Sequence, residues 1–225
     1  MTAPRSPARP GLRDTAGRWA MGALGSFLAN SPLFRLPESL YLEPSLRLLE
    51  VGCGRGSLLR MLNERLRFDR APVGVDLSPT ALRLADRDER KAGRPSRLAL
   101  ATATALPFAE QSFDLVLCGH LVRRLSDGEL HSFLSEIRRV LASGGLALLW
   151  EFAPTGNARL DAWNRWVIAT AAQQPQLRSS RDLIGFAERA GFEFVRDAAL
   201  RPFLLPPIPR ASILIGNAPD GWLQR

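Results

Sequence analysis

From residue 46 onward the sequence alternates between short apolar runs and longer runs with helical periodicity. The runs "SLRLLEV", "APVGVD", "SRLALAT", "SFDLVLCG" and "LALLWEF" predict strands, and "FEFVRDA" and "RASILIGN" predict two closing strands. The helical runs have defined starts: Ser78 precedes Pro79 in one, and Ser126 and Glu129 form a capping box in another. The second of these helices is expected to end at Gly144 and Gly145. Strands that alternate with helices predict an α/β fold whose parallel sheet is covered on both faces.

A glycine-rich stretch, "EVGCGRGS", follows the first predicted strand. Ligands of such sheets bind beyond the carboxyl ends of the strands, and glycines there let the backbone turn sharply and a ligand approach closely. The glycines are Gly52, Gly54 and Gly56, whereas a dinucleotide loop would need a third glycine where Ser57 stands. Glu50 would repel a pyrophosphate and attract an ammonium group. The loop therefore favours a cationic nucleoside that carries an amino acid.

Asp76 ends the second predicted strand, twenty residues after Gly56. This spacing places an acid beside a ribose, and a carboxylate accepts hydrogen bonds from both ribose hydroxyls. An acid at a helix N-terminus is the alternative interpretation of Asp76 taken alone. The glycine loop upstream favours ligand binding.

Four stretches resemble, in order, the motifs of class I S-adenosylmethionine-dependent methyltransferases over residues 46–152: "LLEVGCGRGSLL", "VGVDLS", "ATATALPFAEQSFDLVLCGHLVRRL" and "EIRRVLASGGLALLWEF". The resemblance implies a Rossmann-like doubly wound sheet of seven strands, mostly parallel with the last strand antiparallel, and S-adenosyl-L-methionine as cofactor. The stretch "WEFAPTGNARL" followed by "LRSSRDLIGFAERAGFEFV" is loosely similar in layout to methyltransferases of ubiquinone and menaquinone biosynthesis.

The resemblance also implies a set of cofactor-binding residues at the strand ends. It comprises Glu50, Gly52 and Gly54 at the methionine part, Asp76 at the ribose, Leu77, Thr102 and Ala103 at the adenine, and Cys118 through main-chain atoms. Thr102 stands where relatives usually carry an aspartate. One neutral hydrogen bond contributes about 0.5–1.5 kcal/mol, so we expect cofactor binding to survive this change.

Methyl transfer needs a general base only when the acceptor atom holds a proton that it does not lose unaided. His120 follows the fourth predicted strand and Glu151 ends the fifth, so both are candidate catalytic residues, with a structural role as the alternative. His131 lies on the capped helix, farther from the expected mouth of the site. Arg123 and Arg124 have two interpretations, an anion-binding pair or a solvated helix start, and the second is favoured.

The composition restricts partners and compartment. The 225 residues carry a net charge of +8, with arginines scattered among acids and Lys91 as the single lysine. No basic run interleaved with aromatics appears, so we expect no nucleic-acid partner. Cys53 and Cys118 give neither a disulfide framework nor a metal site, and no apolar run reaches eighteen residues, so we expect a cytoplasmic protein without a transmembrane helix. The Arg, Ala, Leu and Pro content is typical of a GC-rich bacterial genome.

The chain divides into four predicted parts. They are a disordered basic arm (1–18), a helical segment (19–45), the methyltransferase domain (46–217) and a C-terminal tail (218–225). The helix predicted at 19–29 packs on its own domain, lies on a membrane surface or closes over a ligand. The second of these would place the protein at the inner face of the membrane through residues 1–30. The oligomeric state has no sequence signal.

The function predicted from these features is methyl transfer to a small, apolar acceptor such as a quinone precursor or a secondary metabolite. Trp163 and Trp166, in a predicted helix, have two interpretations, core or lid packing and an apolar wall for the acceptor. A non-catalytic partner subunit that binds the cofactor is the alternative function. A nicotinamide-dependent reductase ranks last, because its loop would need a glycine in place of Ser57.

Overall fold

A computed structural model describes residues 42–93, 96–168, 175–200, 203–204, 207–208 and 210–217. The elements in chain order are β1 (Leu48–Val51), α1 (Ser57–Leu66), β2 (Val73–Asp76), α2 (Pro79–Ala92), β3 (Arg97–Leu100), β4 (Phe113–Gly119), a 3-10 turn (Val122–Arg124), α3 (Asp127–Val140), β5 (Leu141–Phe152), α4 (Ala158–Ile168), α5 (Ser180–Arg189), β6 (Phe194–Asp197), β7 (Phe203–Leu204), β8 (Pro207–Ile208) and β9 (Arg210–Gly216).

Seven strands form one sheet in the order β3-β2-β1-β4-β5-β9-β6, and β7 and β8 form a separate small ribbon. Strands β1 to β5 pair in parallel, while β9 runs antiparallel to both of its neighbours, β5 and β6. The predicted seven-stranded sheet with an antiparallel last strand is thus confirmed. The strand order reverses between β1 and β4, and this is where ligands bind in open α/β sheets.

The sheet is covered on both faces, as a parallel sheet requires. Helices α3 and α5 cover one face with apolar side chains that include Phe133, Ile137 and Leu183, and these pack on alternate residues of β1, β4, β5 and β9. Helix α1 covers the other face through Leu58, Leu59 and Leu62.

The predicted helix starts are confirmed, and one predicted helix end is wrong. Ser78 caps α2 with Pro79 in the first turn, and Ser126 and Glu129 form the capping box of α3. Helix α3 was expected to reach Gly144 and Gly145, but it ends at Val140. The reason is that Leu141, fully buried, turns into extended backbone and pairs with Phe113 of β4.

Several predictions fall outside the described residues. These are the arm (1–18), nearly all of the helical segment (19–45) and the C-terminal tail (218–225). Within the ranges given above, the helices are all too short or too polar to cross a bilayer.

Candidate cofactor and acceptor site

The glycine loop is a chain of left-handed turns tied to the neighbouring strand. Gly52, Gly54 and Gly56 have φ values of 76°, 54° and 66°, which side chains other than glycine rarely adopt. The backbone N–H groups of Gly52 and Cys53 both donate to the Val75 carbonyl oxygen, at 2.8 and 3.0 Å. The loop is therefore held above the end of β2.

The absence of a side chain has different consequences at Gly54 and at Gly56. A Cβ atom on Gly54 would meet no heavy atom within 4 Å, so the space beside this residue is open to a ligand. A Cβ atom on Gly56 would lie 2.8 Å from Oε1 of Glu89 and 3.4 Å from Cβ of Ala85. Gly54 thus permits close approach of a ligand, while Gly56 permits close packing of α2 against the loop.

Asp76 joins the loop to the end of β2. Its Oδ2 atom accepts a hydrogen bond from the Gly54 N–H, and its Oδ1 atom accepts one from the Ser78 N–H, both at 2.8 Å. The side chain is only partly buried. Because a carboxylate offers about four lone-pair sites, Asp76 retains acceptor capacity for two further donors, such as the hydroxyls of a ribose.

Exposed apolar side chains lie beside Asp76. Leu77 is 71% exposed and Leu100, at the end of the adjacent β3, is 59% exposed, which is unusual for leucines at strand ends. Thr102 is exposed with its Oγ1 atom 3.1 Å from Oγ1 of Thr104, and Ala103 is half-buried. Exposed apolar groups next to polar ones are typical of ligand sites, and these would suit a flat heteroaromatic ring. Leu100 was missed by sequence reasoning, since its run carries no motif.

Glu50 lies behind the loop. It is 6% exposed, and its Oε2 atom has no hydrogen-bond partner among the described residues. Burial, assisted by the nearby Glu89 and Asp76 carboxylates and opposed by the Leu59 N–H, raises the pKa of Glu50 to about 8. The sequence argument took Glu50 as an ionised group facing the ligand. The structure instead makes it a buried carboxyl that is mostly protonated at neutral pH.

Both cysteines are free and buried. Burial, with the neighbouring carboxylates, raises the pKa of the Cys53 and Cys118 thiols well above the usual range. The side chain of Cys118 belongs to the core on the α3 side of the sheet, so only its main chain is available to a ligand.

The two candidate catalytic residues are brought together across β4 and β5. The Nδ1 atom of His120 lies 3.4 Å from Oε1 of Glu151, and the His120 ring packs against Phe152 with 4.5 Å between centroids. His120 has a left-handed φ of 59°, which is uncommon for a residue with a side chain and costs energy. A hydrogen bond from its N–H to the Trp150 carbonyl, 3.0 Å long, holds this conformation.

Arg123 completes this group, and its favoured interpretation as part of a solvated helix start is wrong. Its side chain is 13% exposed, and its Nη1 atom lies 3.1 Å from Oε1 of Glu151. Its backbone N–H also donates to Oε2 of Glu151, at 3.0 Å. Burial alone would raise the pKa of Glu151, but the Arg123 guanidinium and the His120 ring outweigh it and hold the pKa at about 2. Glu151 is therefore ionised at any ordinary pH.

Burial dominates the pKa of His120, whereas the charged neighbours of Glu151 together outweigh the effect of burial on its pKa. Burial lowers the pKa of His120, with the Glu151 carboxylate opposing that shift. Its Nε2 atom is buried and has no hydrogen-bond partner in the described part of the chain. The ring is therefore neutral at pH 7.

A buried arginine that sequence reasoning missed fixes the turn after β4. Arg178 donates to the carbonyl oxygens of Val122 and Leu125, both at 2.9 Å, and to Oδ1 of Asp127 at 2.7 Å. The residue lies more than fifty positions downstream of its partners, so no local pattern marks it. Its contacts hold the segment that carries Arg123.

The remaining candidates make none of the contacts described above. His131 is exposed on α3. Trp163 and Trp166 on α4 are about half exposed and stack on each other at 5.2 Å, so neither is a core residue, while lid packing and an acceptor wall stay predictions. A polar cleft of about 480 Å³, lined in part by Arg138, Arg139 and Asn217, lies at the opposite end of the sheet. Among the described residues, no group of three or more His, Cys, Asp or Glu side chains is placed to hold a metal ion.

Comparisons with known proteins agree with this geometry. The sequence model of the family described as "Methyltransferase domain" matches residues 48–145. The demethylmenaquinone methyltransferase of Thermus thermophilus is 38% identical over 108 residues, which cover 48% of each chain. The 2-phytyl-1,4-naphtoquinone methyltransferase of Synechocystis sp. is 30% identical over 129 residues, 56% of this chain and 53% of that protein. The chain thus spans about half the length of these relatives.

The fold is shared with solved structures at low sequence identity. The geranyl diphosphate C-methyltransferase of Streptomyces coelicolor superposes with a TM-score of 0.64 at 17% identity, covering 82% of this chain and 77% of that one. A likeness of this kind establishes the fold. Residues 48–145 thus match the methyltransferase domain model, and the strand order is the one shared with solved methyltransferase structures.

Proposed function

We propose that this protein transfers the methyl group of S-adenosylmethionine to a small-molecule acceptor. The observation that carries the proposal is the contact of Asp76 with Gly54, which places a carboxylate with spare acceptor capacity beside the open space of the glycine loop. A nucleoside ligand needs this combination: an acid for the sugar and room for the group attached to it.

The residues present fit the cofactor. Asp76 would hold the ribose, Leu77 and Leu100 would flank the adenine, and the loop at Gly54 would leave room for the methionine part. Thr102 would offer its hydroxyl, and Ala103 its backbone N–H, to the adenine. When bound, the cofactor supplies an electrophilic methyl group on a sulfonium, and the protein's task is to align a nucleophile with it.

The acceptor in this proposal is apolar and related to quinone precursors. Two of the similar proteins are named for demethylmenaquinone and 2-phytyl-1,4-naphtoquinone. Helix α4 supports the same class, because Leu160, Trp163 and Trp166 expose large apolar side chains after the end of β5. Exposed apolar side chains that cluster in this way are typical of binding surfaces.

Incubation with methyl-labelled S-adenosylmethionine and three acceptors, 1,4-naphthalenediol, catechol and tryptamine, tests this function. Mass spectrometry of the products should show a methylated diol. Binding of S-adenosylhomocysteine without any methylated product would instead support the non-catalytic partner subunit. Enhanced NADH fluorescence on mixing would support a reductase.

A further inference from the structure

We propose that His120 is the general base of the reaction, that Glu151 positions it, and that the acceptor is therefore attacked through a group that carries a neutral hydroxyl. The inference rests on the proposed methyl-transfer function and adds the identity of the proton acceptor. It follows from the arrangement of three side chains at the ends of β4 and β5.

The role of Glu151 is fixed by its contacts. Its Oε1 atom faces both His120 and Arg123, and its Oε2 atom accepts the Arg123 N–H. Both oxygen atoms of Glu151 are engaged and its side chain is 1% exposed, against 17% for His120, so His120 is the more accessible of the two to an acceptor molecule. Glu151 therefore acts through His120 and is a positioning residue.

The carboxylate determines which nitrogen of His120 carries the proton. An ionised carboxylate only accepts hydrogen bonds, so a neutral His120 places its proton on Nδ1, toward Glu151. The 3.4 Å distance is long for such a bond, and contacts of this kind in ligand-free enzymes commonly tighten when substrate binds. Nε2 is then left as the basic nitrogen.

Nε2 is a buried acceptor for which the described residues provide no donor. A buried polar atom without a partner is costly, and in a site of this kind it marks the place of a ligand donor. The backbone of His120 is strained by its left-handed conformation. The hydrogen bond that Arg123 donates to the His120 carbonyl oxygen stabilises this conformation and so fixes the position of the ring. A hydroxyl of the acceptor is the donor that completes this arrangement.

The chemical step is balanced. The acceptor O–H bond breaks, and its proton goes to Nε2 of His120. The electron pair that remains on the acceptor forms the new bond to the methyl carbon as the carbon–sulfur bond breaks and its electron pair stays on sulfur. His120 is then an imidazolium facing the Glu151 carboxylate, and it returns its proton to solvent after the product leaves. An amine acceptor, already nucleophilic when neutral, would not need this base.

The pH dependence follows from the groups that face His120. These are Glu151 from β5, Arg123 from the 3-10 turn and Arg210 from β9. Burial, Arg123 and Arg210 disfavour the imidazolium, and Glu151 favours it. The His120 base is therefore competent at neutral pH and is lost only as the pH falls below the ordinary pKa of histidine.

Nitrogen-15 NMR of the imidazole rings tests the inference without turnover. The chain has two histidines, so His131→Gln leaves His120 as the single signal and serves as the control background. At pH 7, with and without S-adenosylhomocysteine, His120 should be neutral with its proton on Nδ1. Glu151→Gln should abolish this tautomer preference and lower the pKa of His120 further. A proton on Nε2, or an imidazolium at pH 7, would overturn the proposal.

The acceptor panel supplies the second readout. Methylation of 1,4-naphthalenediol or catechol should fall about 10²- to 10⁴-fold in kcat in His120→Gln, with unchanged affinity for S-adenosylhomocysteine. A decrease of less than threefold, or methylation confined to tryptamine, would overturn the assignment of the base. Failure of S-adenosylhomocysteine to bind the wild-type protein would instead contradict the proposed function, and the NMR result would still report the tautomer.

Discussion

The carboxylate of Asp76 accepts a hydrogen bond from the Gly54 N–H at 2.8 Å, which joins the ends of β2 and β1 beside the point where strand order reverses between β1 and β4. The contact spans twenty-two positions in the sequence. It keeps the loop open on one side and leaves lone pairs of Asp76 free on the other. In the proposed function, this geometry would form the sugar site before any ligand arrives.

Glu50 should make the protein's stability depend on pH. Its pKa is raised to about 8 in the fold, mainly by burial, from an ordinary value of 4.5, so the folded state binds more protons than the unfolded state between these values. The contribution of Glu50 to the free energy of unfolding is therefore fully present below about pH 4.5. It is lost as the pH rises from there through 8, by up to about 5 kcal/mol in all.

Urea denaturation at several pH values measures this effect. Glu50→Gln should flatten the decline, while Glu64→Gln, an exposed position on α1, should leave it unchanged. A Glu50→Gln protein whose stability still falls as steeply as wild type would show that Glu50 is not the group responsible.

Gly119→Ala should destabilise the protein. A Cβ atom at this position would lie 2.3 Å from Cζ2 of the buried Trp150, which has no room to move aside. Overpacking of this kind costs about 1–3 kcal/mol. The matched control is Gly128→Ala in α3, where a Cβ atom meets nothing within 4 Å and the gain in helix propensity is about 0.5–1 kcal/mol. Equal unfolding midpoints for the two variants would contradict this packing.

Thr102→Asp should strengthen cofactor binding. Thr102 is exposed near the ends of β2 and β3, and a carboxylate there would accept a hydrogen bond from the adenine amino group more strongly than a hydroxyl. We expect the Kd for S-adenosylhomocysteine to fall up to about tenfold, and to rise less than tenfold in Thr102→Ala. Calorimetry that finds the same Kd in both variants would place the adenine elsewhere.

The sequence predicted correctly those features of the fold that depend on residues close together in the chain. The caps at Ser78 and Ser126 depend on residues within one turn, and the alternation of strands and helices requires a covered parallel sheet. Helix α3 ends earlier than expected because Leu141 is buried and pairs with Phe113 of β4. This contact joins residues distant in the sequence, so the local helix pattern cannot predict it.

The site was predictable in its outline and not in its electrostatics. Residue type and order placed Asp76, His120 and Glu151 at strand ends, and the structure puts the last two in contact. Burial of Glu50 and of Arg123 depends on how α1, α2 and the 3-10 turn pack, so no local pattern predicts it. The hydrogen bonds of Arg178 to the turn after β4 were missed for the same reason. The solvated environment expected for Arg123 was wrong, while the cofactor contact of Glu50 stays a prediction.

Calorimetric titration of S-adenosylhomocysteine into wild-type, Asp76→Ala and Asp86→Ala proteins decides whether the crevice beside Gly54 is a nucleoside site. In Asp76→Ala, loss of two charge-assisted hydrogen bonds to the ribose should raise the Kd for S-adenosylhomocysteine about 100-fold or more. Asp86 lies on the outer surface of α2 and pairs with Arg90, so Asp86→Ala should leave the Kd unchanged. Folding of each variant is checked by its circular dichroism and melting temperature. Binding of equal strength in all three proteins, or no binding to wild type at millimolar ligand, would contradict the site described above.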